Sequence, residues 1–161
     1  MGPVSTQTFA TVRRCLRGQP TATRLIELDA EPLFAIVSDV RFHSRWVPLT
    51  HIKAPLNKIK VGDTFTANTL GIRDRMTLTS IEDGVAQFRK DGPFMVGSAE
   101  IRVEPVAPGV GRVTWSYDAM LAGPLPSFVA RALAGLALAP VLRFVIDRME
   151  ADILANKHRI G

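Results

Sequence analysis

The stretch SFVARALAGLALAPVLRFVIDRMEADILANKH, at residues 127–158, is the part of the chain that indicates the fold most clearly. In its second half, apolar residues recur at spacings of three and four, which is the period of one face of an α-helix. These residues are Leu142, Val145, Ile146, Met149 and Ile153. The first half, residues 128–142, carries its only charge at Arg131 and is otherwise small or apolar. We therefore predict one long C-terminal helix whose first half needs apolar cover on most sides.

Pro140 stands where the two halves meet. A proline inside a helix removes one backbone hydrogen bond, and its ring clashes with the preceding turn. We therefore expect a kink or a break at this position. Residues 119–142 are about long enough to span a membrane, but Arg131 and the three prolines in that stretch favour a core helix.

The composition is that of a globular chain. Its 161 residues are 47% hydrophobic and 22% charged, which predicts one domain with its own core. The single Cys15 excludes an internal disulfide. The net charge is +5, but no dense run of Lys and Arg occurs, so we predict a basic surface and no nucleic-acid partner.

The first twenty residues contain Arg13, Arg14 and Arg17, and no acid occurs before Glu27. They lack the apolar core of a secretory signal, so we expect a cytoplasmic protein. Their composition is also typical of a transit peptide, although a loose basic extension or an extra edge strand is favoured. We therefore divide the chain into a basic extension, residues 1–20, and a single domain, residues 21–161.

The middle of the chain alternates between apolar and polar residues, as half-buried antiparallel strands do. A first strand at residues 21–28 precedes two short helices, the first opened by Glu31-Pro32 and the second ended by Pro48. Further strands are predicted at residues 51–56, 64–70, 75–81, 85–90, 97–103 and 112–121. Short turns favour a meander, and a twisted sheet of this size curls. The predicted fold is α+β, a curved antiparallel sheet wrapped around a long, kinked C-terminal helix.

Several short motifs carry a family resemblance. They are IELDAEPLFAIVSD at residues 26–39, Trp46 followed by Pro48, VGDTF at residues 61–65 and GRVTW at residues 111–115. Together with the element order, they resemble the START/Bet v 1-like (SRPBCC) superfamily, in particular its polyketide cyclase/dehydrase and lipid-transport branch. The resemblance covers residues 21–161. It implies the helix-grip fold and, because that fold hosts many activities, only a broad class of function.

A sheet that grips a helix commonly leaves a cavity, and ligand cavities are mostly apolar with a few polar groups. We predict that inward-facing strand residues and the first half of the helix line it, with Trp46 at its mouth. The predicted ligand-binding residues are Trp46, Met76, Leu78, Phe88, Ala99, Ile101, Trp115, Tyr117, Phe128, Ala132, Leu133 and Leu136. A fully packed core is the alternative. Trp46 is equally well explained as an anchor of the second short helix. For the Tyr117 hydroxyl, a hydrogen bond to a backbone carbonyl is favoured over contact with a guest.

The histidines, His43, His51 and His158, do not have the spacing of a metal site, and Cys-x-x-Cys is absent. We therefore predict neither a metal nor a cofactor.

If the cavity catalyses a reaction, the reaction would be cyclisation or dehydration of a bound polyketide. His51 or Tyr117 would then be the acid or base, and Arg75 or Arg89 would stabilise an oxyanion. A structural or surface role is favoured for each, because single polar residues without partners seldom mark a site. The segment Arg73-Asp74-Arg75 is interpreted as a solvated turn with a local ion pair.

The leading hypothesis is a non-catalytic carrier or sensor of a hydrophobic small molecule, such as a lipid, a quinone or a polyketide-like compound. The second is an aromatase/cyclase or dehydratase that uses the same cavity. The third is a protein-binding or membrane-surface module that uses the basic face and the loop at residues 121–127. We expect a monomer or a homodimer, with at most a transient contact with a membrane surface.

Overall fold

The order of the elements follows the prediction, with one addition at the N-terminus. The structure, a computed structural model, describes residues 6–159, and side chains from residue 10 onward. The helices are α1 (Thr6–Leu16), α2 (Ala30–Val37), α3 (His43–Trp46) and α4 (Ser127–Asn156), with 3-10 turns at Val40–Phe42 and Lys157–Arg159. The strands are β1 (Thr21–Ile26), β2 (Thr50–Lys53), β3 (Thr64–Thr69), β4 (Ile72–Glu82), β5 (Val85–Pro93), β6 (Met95–Ala107) and β7 (Val110–Leu121).

All seven strands form one antiparallel sheet in the order β1-β7-β6-β5-β4-β3-β2. Consecutive strands from β2 to β7 are neighbours, as short turns predict. β1 completes the far edge by pairing with β7, where Thr21 lies opposite Ser116 and Ile26 opposite Gly111. The sheet curls around α4, so the predicted α+β, helix-grip architecture is confirmed.

The second half of α4 lies at the centre of the core. Leu142, Val145, Ile146, Met149 and Ile153 are each at most 3% exposed, as their spacing predicts. They pack into one cluster with inward-facing residues of the sheet and of α2.

The first half of α4 differs from the prediction. Phe128 is 74% exposed and Leu136 is 55% exposed. Residues 6–159 therefore do not cover this half of the helix on most sides. The helix is also continuous through Pro140, so of the expected kink or break the break does not occur. Pro140 is exposed, as is Leu136, the residue whose carbonyl has no helical partner because Pro140 lacks an N–H. By length and composition α4 could cross a membrane, but its second half is packed inside the sheet.

The N-terminal residues form a helix, so a loose extension and an extra edge strand are both wrong for residues 6–16. α1 packs on α4 where the backbone of Cys15 contacts Gly135. A Cβ atom at Gly135 would overlap the Cys15 carbonyl oxygen, so only glycine permits this approach. Two turn predictions also need correction. Residues 91–93 extend β5 instead of forming a turn, and residues 73–75 lie within β4.

Candidate ligand-binding cavity

A cavity of about 260 Å³ lies between the concave face of the sheet and α4. Ile72, Phe94 and Val141 belong to its lining and are 44%, 42% and 38% exposed, so it reaches the surface between β4, the β5–β6 turn and α4. Its wall is mostly apolar, and aromatic rings contribute much of it. These rings belong to Phe65, Phe88, Phe94, Trp115 and Tyr117. The alternative of a fully packed core is therefore wrong.

The strand residues predicted to line the cavity fall into two groups. The side chains that line it are Met76, Phe88, Ala99, Trp115 and Tyr117. Leu78 and Ile101 also point inward, but they are fully buried in the packed core and are not part of the lining.

The predicted helix residues do not line the cavity. Phe128, Leu133 and Leu136 are largely exposed and Ala132 is half-buried, whereas the helix contributes Ala137, Leu138 and Val141. The first half of α4 is apolar nearly all round, so its sequence does not reveal which face points inward. The placement of residues 128–136 in the cavity is therefore corrected to residues 137–141.

Trp46 does not lie at the cavity mouth. Its ring is 1% exposed, and its Nε1 donates a hydrogen bond to Asp152 Oδ2 at 2.9 Å. This bond ties α3 to α4, which matches the interpretation of Trp46 as an anchor.

The polar candidates for catalysis are mostly outside the cavity. His51, Arg75 and Arg89 are exposed and are not in its lining. Arg89 Nε instead pairs with Asp91 Oδ1 at 2.5 Å. Tyr117 does line the cavity. The hydrogen bond predicted from its hydroxyl to a backbone carbonyl is not formed within residues 6–159.

Two charged residues that the sequence analysis did not select lie inside the cavity. Lys90 and Asp74 are 8% and 9% exposed, and both belong to the lining. Lys90 Nζ donates to Asp74 Oδ2 at 3.0 Å, and the backbone N–H of Met95 donates to Asp74 Oδ1 at 3.2 Å. The interpretation of residues 73–75 as a solvated turn is therefore wrong.

Strand alternation contains the signal that would have found this pair. Lys90 follows Phe88 by two residues and Asp74 precedes Met76 by two, so each shares a face with a residue predicted to point inward. Alternation alone does not select these residues, because an isolated buried charge is strongly unfavourable. The ion pair with the partner on the neighbouring strand offsets the free-energy cost of burying either charge.

The local geometry of β5 positions the lysine. Lys90 pairs in register with Met76, whereas Gly92 pairs with Arg75, so Asp91 is an extra residue that forms a bulge.

The bulge residue Asp91 is itself held by hydrogen bonds. Thr77 Oγ1 donates to Asp91 Oδ2 at 2.6 Å. The hydrogen bonds from Thr77 and Arg89 hold the pKa of Asp91 below its usual value. The Lys90 ammonium lies 5.6 Å from the centroid of the Tyr117 ring, a distance at which a cation is attracted to an aromatic face.

His43 is a further polar residue of the lining that the sequence analysis did not assign to the cavity. Its Nε2 lies 2.9 Å from the Val37 carbonyl oxygen, which can only accept, so Nε2 carries the proton. Burial lowers the pKa of His43 to about 4, so the ring is neutral at pH 7. The ring centroid of Trp115 lies 5.0 Å from that of His43. The buried Trp115 Nε1 has no hydrogen-bond partner within residues 6–159.

The family described as polyketide cyclase / dehydrase and lipid transport matches residues 18–153. No curated protein matches the sequence. Among solved structures, a START superfamily protein from Mycobacterium smegmatis is 15% identical, with a TM-score of 0.67 over 85% of this chain and 97% of that chain. A conserved protein from Geobacillus kaustophilus is 15% identical, with a TM-score of 0.64 over 86% and 96%. The Zhui aromatase/cyclase from Streptomyces sp. R1128 is 13% identical, with a TM-score of 0.67 over 86% and 94%. At these identities the likeness is one of fold.

Proposed function

Because the chain belongs to the polyketide cyclase/dehydrase and lipid transport family, we propose that it binds and carries a hydrophobic small molecule between the sheet and α4. The observation behind this proposal is the mostly apolar cavity that opens at Ile72, Phe94 and Val141. Its volume of about 260 Å³ is slightly below the usual range of roughly 300–1,000 Å³ for small-molecule sites. The guest is therefore compact: a small lipid, a quinone or a short polyketide-like compound.

Catalysis in the same cavity, as an aromatase/cyclase or dehydratase, is the second candidate function. It is favoured by the convergence of His43, Asp74, Lys90 and Tyr117 on one space. Binding without reaction ranks first because Lys90 and Asp74 already neutralise each other and the His43 Nε2 proton is held by a backbone carbonyl. Turnover of an aromatic polyketide precursor that is lost in Tyr117→Phe would reverse this ranking.

Native mass spectrometry of the freshly purified protein, followed by solvent extraction, tests for a guest directly. A cavity-filling variant then tests its location. Ala137 is an exposed residue of the lining, so Ala137→Phe adds a ring at the edge of the cavity, and we expect it to weaken binding of the neutral fluorescent probe N-phenyl-1-naphthylamine by about tenfold or more.

Ala151→Phe is the matched control, because Ala151 is also exposed and lies on the same helix but is not part of the cavity lining. We expect its affinity for the probe to equal that of the unmodified protein. Absence of both a co-purified guest and probe binding would contradict the proposal, as would an equal loss of affinity in the two variants.

We also propose that the protein makes transient contact with an anionic membrane surface. The exposed apolar residues of α4, such as Phe128 and Leu136, lie on the helix against which α1 packs. α1 and the turn after it add Arg13 and Arg17, both exposed. An apolar face beside exposed arginines matches the apolar interior and anionic headgroups of such a bilayer.

A further inference from the structure

We propose that Lys90 donates a hydrogen bond to the carbonyl oxygen of the guest, and that the guest is a neutral aromatic carbonyl compound and not a carboxylic acid. This inference rests on the proposed binding function and names the chemical class that the cavity selects. The two charged residues of the lining, Lys90 and Asp74, form the site.

The ammonium group of Lys90 has donors to spare. It carries three N–H donors, and within residues 6–159 its only hydrogen bond is the one to Asp74 at 3.0 Å. The Tyr117 ring covers one side of the group without accepting a conventional hydrogen bond. The remaining donors border an otherwise mostly apolar space, where an unsatisfied donor is unfavourable. An acceptor oxygen on the guest satisfies one of them.

The charge balance of the pair decides between a ketone and a carboxylate. Asp74 already neutralises Lys90, and both oxygens of Asp74 are occupied, by Lys90 Nζ and by the backbone N–H of Met95. A carboxylate would add an uncompensated negative charge to a site of low polarity, where desolvation opposes it. A carbonyl oxygen accepts from the ammonium group without adding charge.

The pair is held in place before any guest arrives. Asp74 lies on β4 and Lys90 on the neighbouring β5, and the bulge at Asp91 sets their relative position. The surrounding rings of Phe88, Trp115 and Tyr117 favour a flat aromatic body. The cavity therefore fits a compact aryl ketone or quinone with its oxygen at Lys90.

Three matched probes test this inference on the unmodified protein: 2-acetylnaphthalene, 2-ethylnaphthalene and 2-naphthoate. We expect the ketone to bind about tenfold more tightly than the hydrocarbon in a titration of tryptophan fluorescence, because a hydrogen bond to a charged donor is stronger than one between neutral groups. We expect 2-naphthoate to bind more weakly than the ketone. Equal binding of ketone and hydrocarbon, or preference for the carboxylate, would overturn the inference.

A double variant, Lys90→Met with Asp74→Leu, removes both charges and keeps the interior apolar, a replacement that proteins often tolerate. We expect it to retain 2-ethylnaphthalene binding and to bind the ketone and the hydrocarbon with about equal affinity. The matched control, Arg102→Met with Glu100→Leu, removes an exposed ion pair of 3.0 Å on β6 and should keep the tenfold preference. A preference that survives in the Lys90 variant would overturn the role of Lys90.

Infrared spectroscopy of the unmodified protein tests the same hydrogen bond and needs no variant, so it also applies if the double variant does not fold. The carbonyl stretch of ¹³C-labelled 2-acetylnaphthalene should have a lower frequency when the ketone is bound to the protein than when it is dissolved in cyclohexane. Equal frequencies in the two states would overturn the inference. Failure of all three probes to bind would count against the proposed binding function. Binding without preference for the ketone would count only against the role of Lys90.

Discussion

His43 couples the stability of the fold to pH. Burial lowers its pKa from 6.5 to about 4, so between these values the unfolded chain binds a proton that the folded chain does not. The free energy of unfolding should therefore fall as the pH falls from about 6.5 to about 4, by up to about 3 kcal/mol at 1.36 kcal/mol per pKa unit. Urea unfolding at pH steps between about 7.5 and 4.5 measures this slope.

Two substitutions separate His43 from other groups. His43→Gln does not titrate and retains a donor for the Val37 carbonyl, so we expect a flatter profile above pH 4.5. His51→Gln should keep the slope, because His51 is exposed. The pKa values of Asp39 and Asp91 are lowered from 3.8, so the stability that these residues contribute is lost below that value. A wild-type profile without slope would contradict the burial argument.

At the level of single residues, the sequence predicts which apolar strand residues face inward better than it predicts which charged residues do. Alternation placed Met76, Phe88 and Tyr117 on the inner face, because a strand has only two faces. The same alternation places Lys90 inward, but accepting a buried lysine requires knowing that Asp74 lies beside it. That knowledge depends on the pairing of β4 with β5.

At the level of elements, Gly135 controls the packing of α1 on α4. Replacing a helical glycine by alanine ordinarily stabilises a helix by about 1 kcal/mol. In Gly135→Ala the new Cβ would overlap the Cys15 carbonyl oxygen, so we expect destabilisation of about 1–3 kcal/mol, as in other overpacked sites. Thermal unfolding measures the sign of the change. Faster tryptic cleavage at Arg13, Arg14 and Arg17 would report displacement of α1.

A gain in stability for Gly135→Ala would show that α1 does not pack closely there. The N-terminal helix was not predicted, because residues 1–20 contain no long apolar repeat. Its position depends on the close approach of Cys15 to Gly135, a buried glycine of α4. An element that is stabilised mainly by tertiary packing leaves a weak pattern in its own sequence.

At the level of the whole molecule, the exposed apolar face of α4 predicts binding to anionic vesicles. We expect co-sedimentation with vesicles of phosphatidylcholine and phosphatidylglycerol that weakens as NaCl rises from about 0.05 M to about 0.5 M, because salt shortens the range of charge attraction. Phe128→Ser combined with Leu136→Ser should reduce binding without loss of stability, since both residues are exposed.

The control for this experiment changes exposed apolar residues elsewhere. Leu25→Ser combined with Val106→Ser alters residues that are 52% and 45% exposed on β1 and β6, and we expect vesicle binding to remain unchanged. Equal losses in the two double variants, or binding that does not depend on salt, would argue against a docking face built from α4 and α1.

The fold class and the core face of the second half of α4 could be predicted from the order of the amino acids. Both follow from local periodicity, since the residues that recur along one face of a helix or strand must be covered together. Tertiary packing, in contrast, determines which face of the Ala-rich half borders the cavity, and it brings Lys90 next to Asp74 in the cavity wall. The reason is that a segment apolar on all sides contains no directional information. A buried charge, likewise, becomes favourable only through a partner that is distant in sequence.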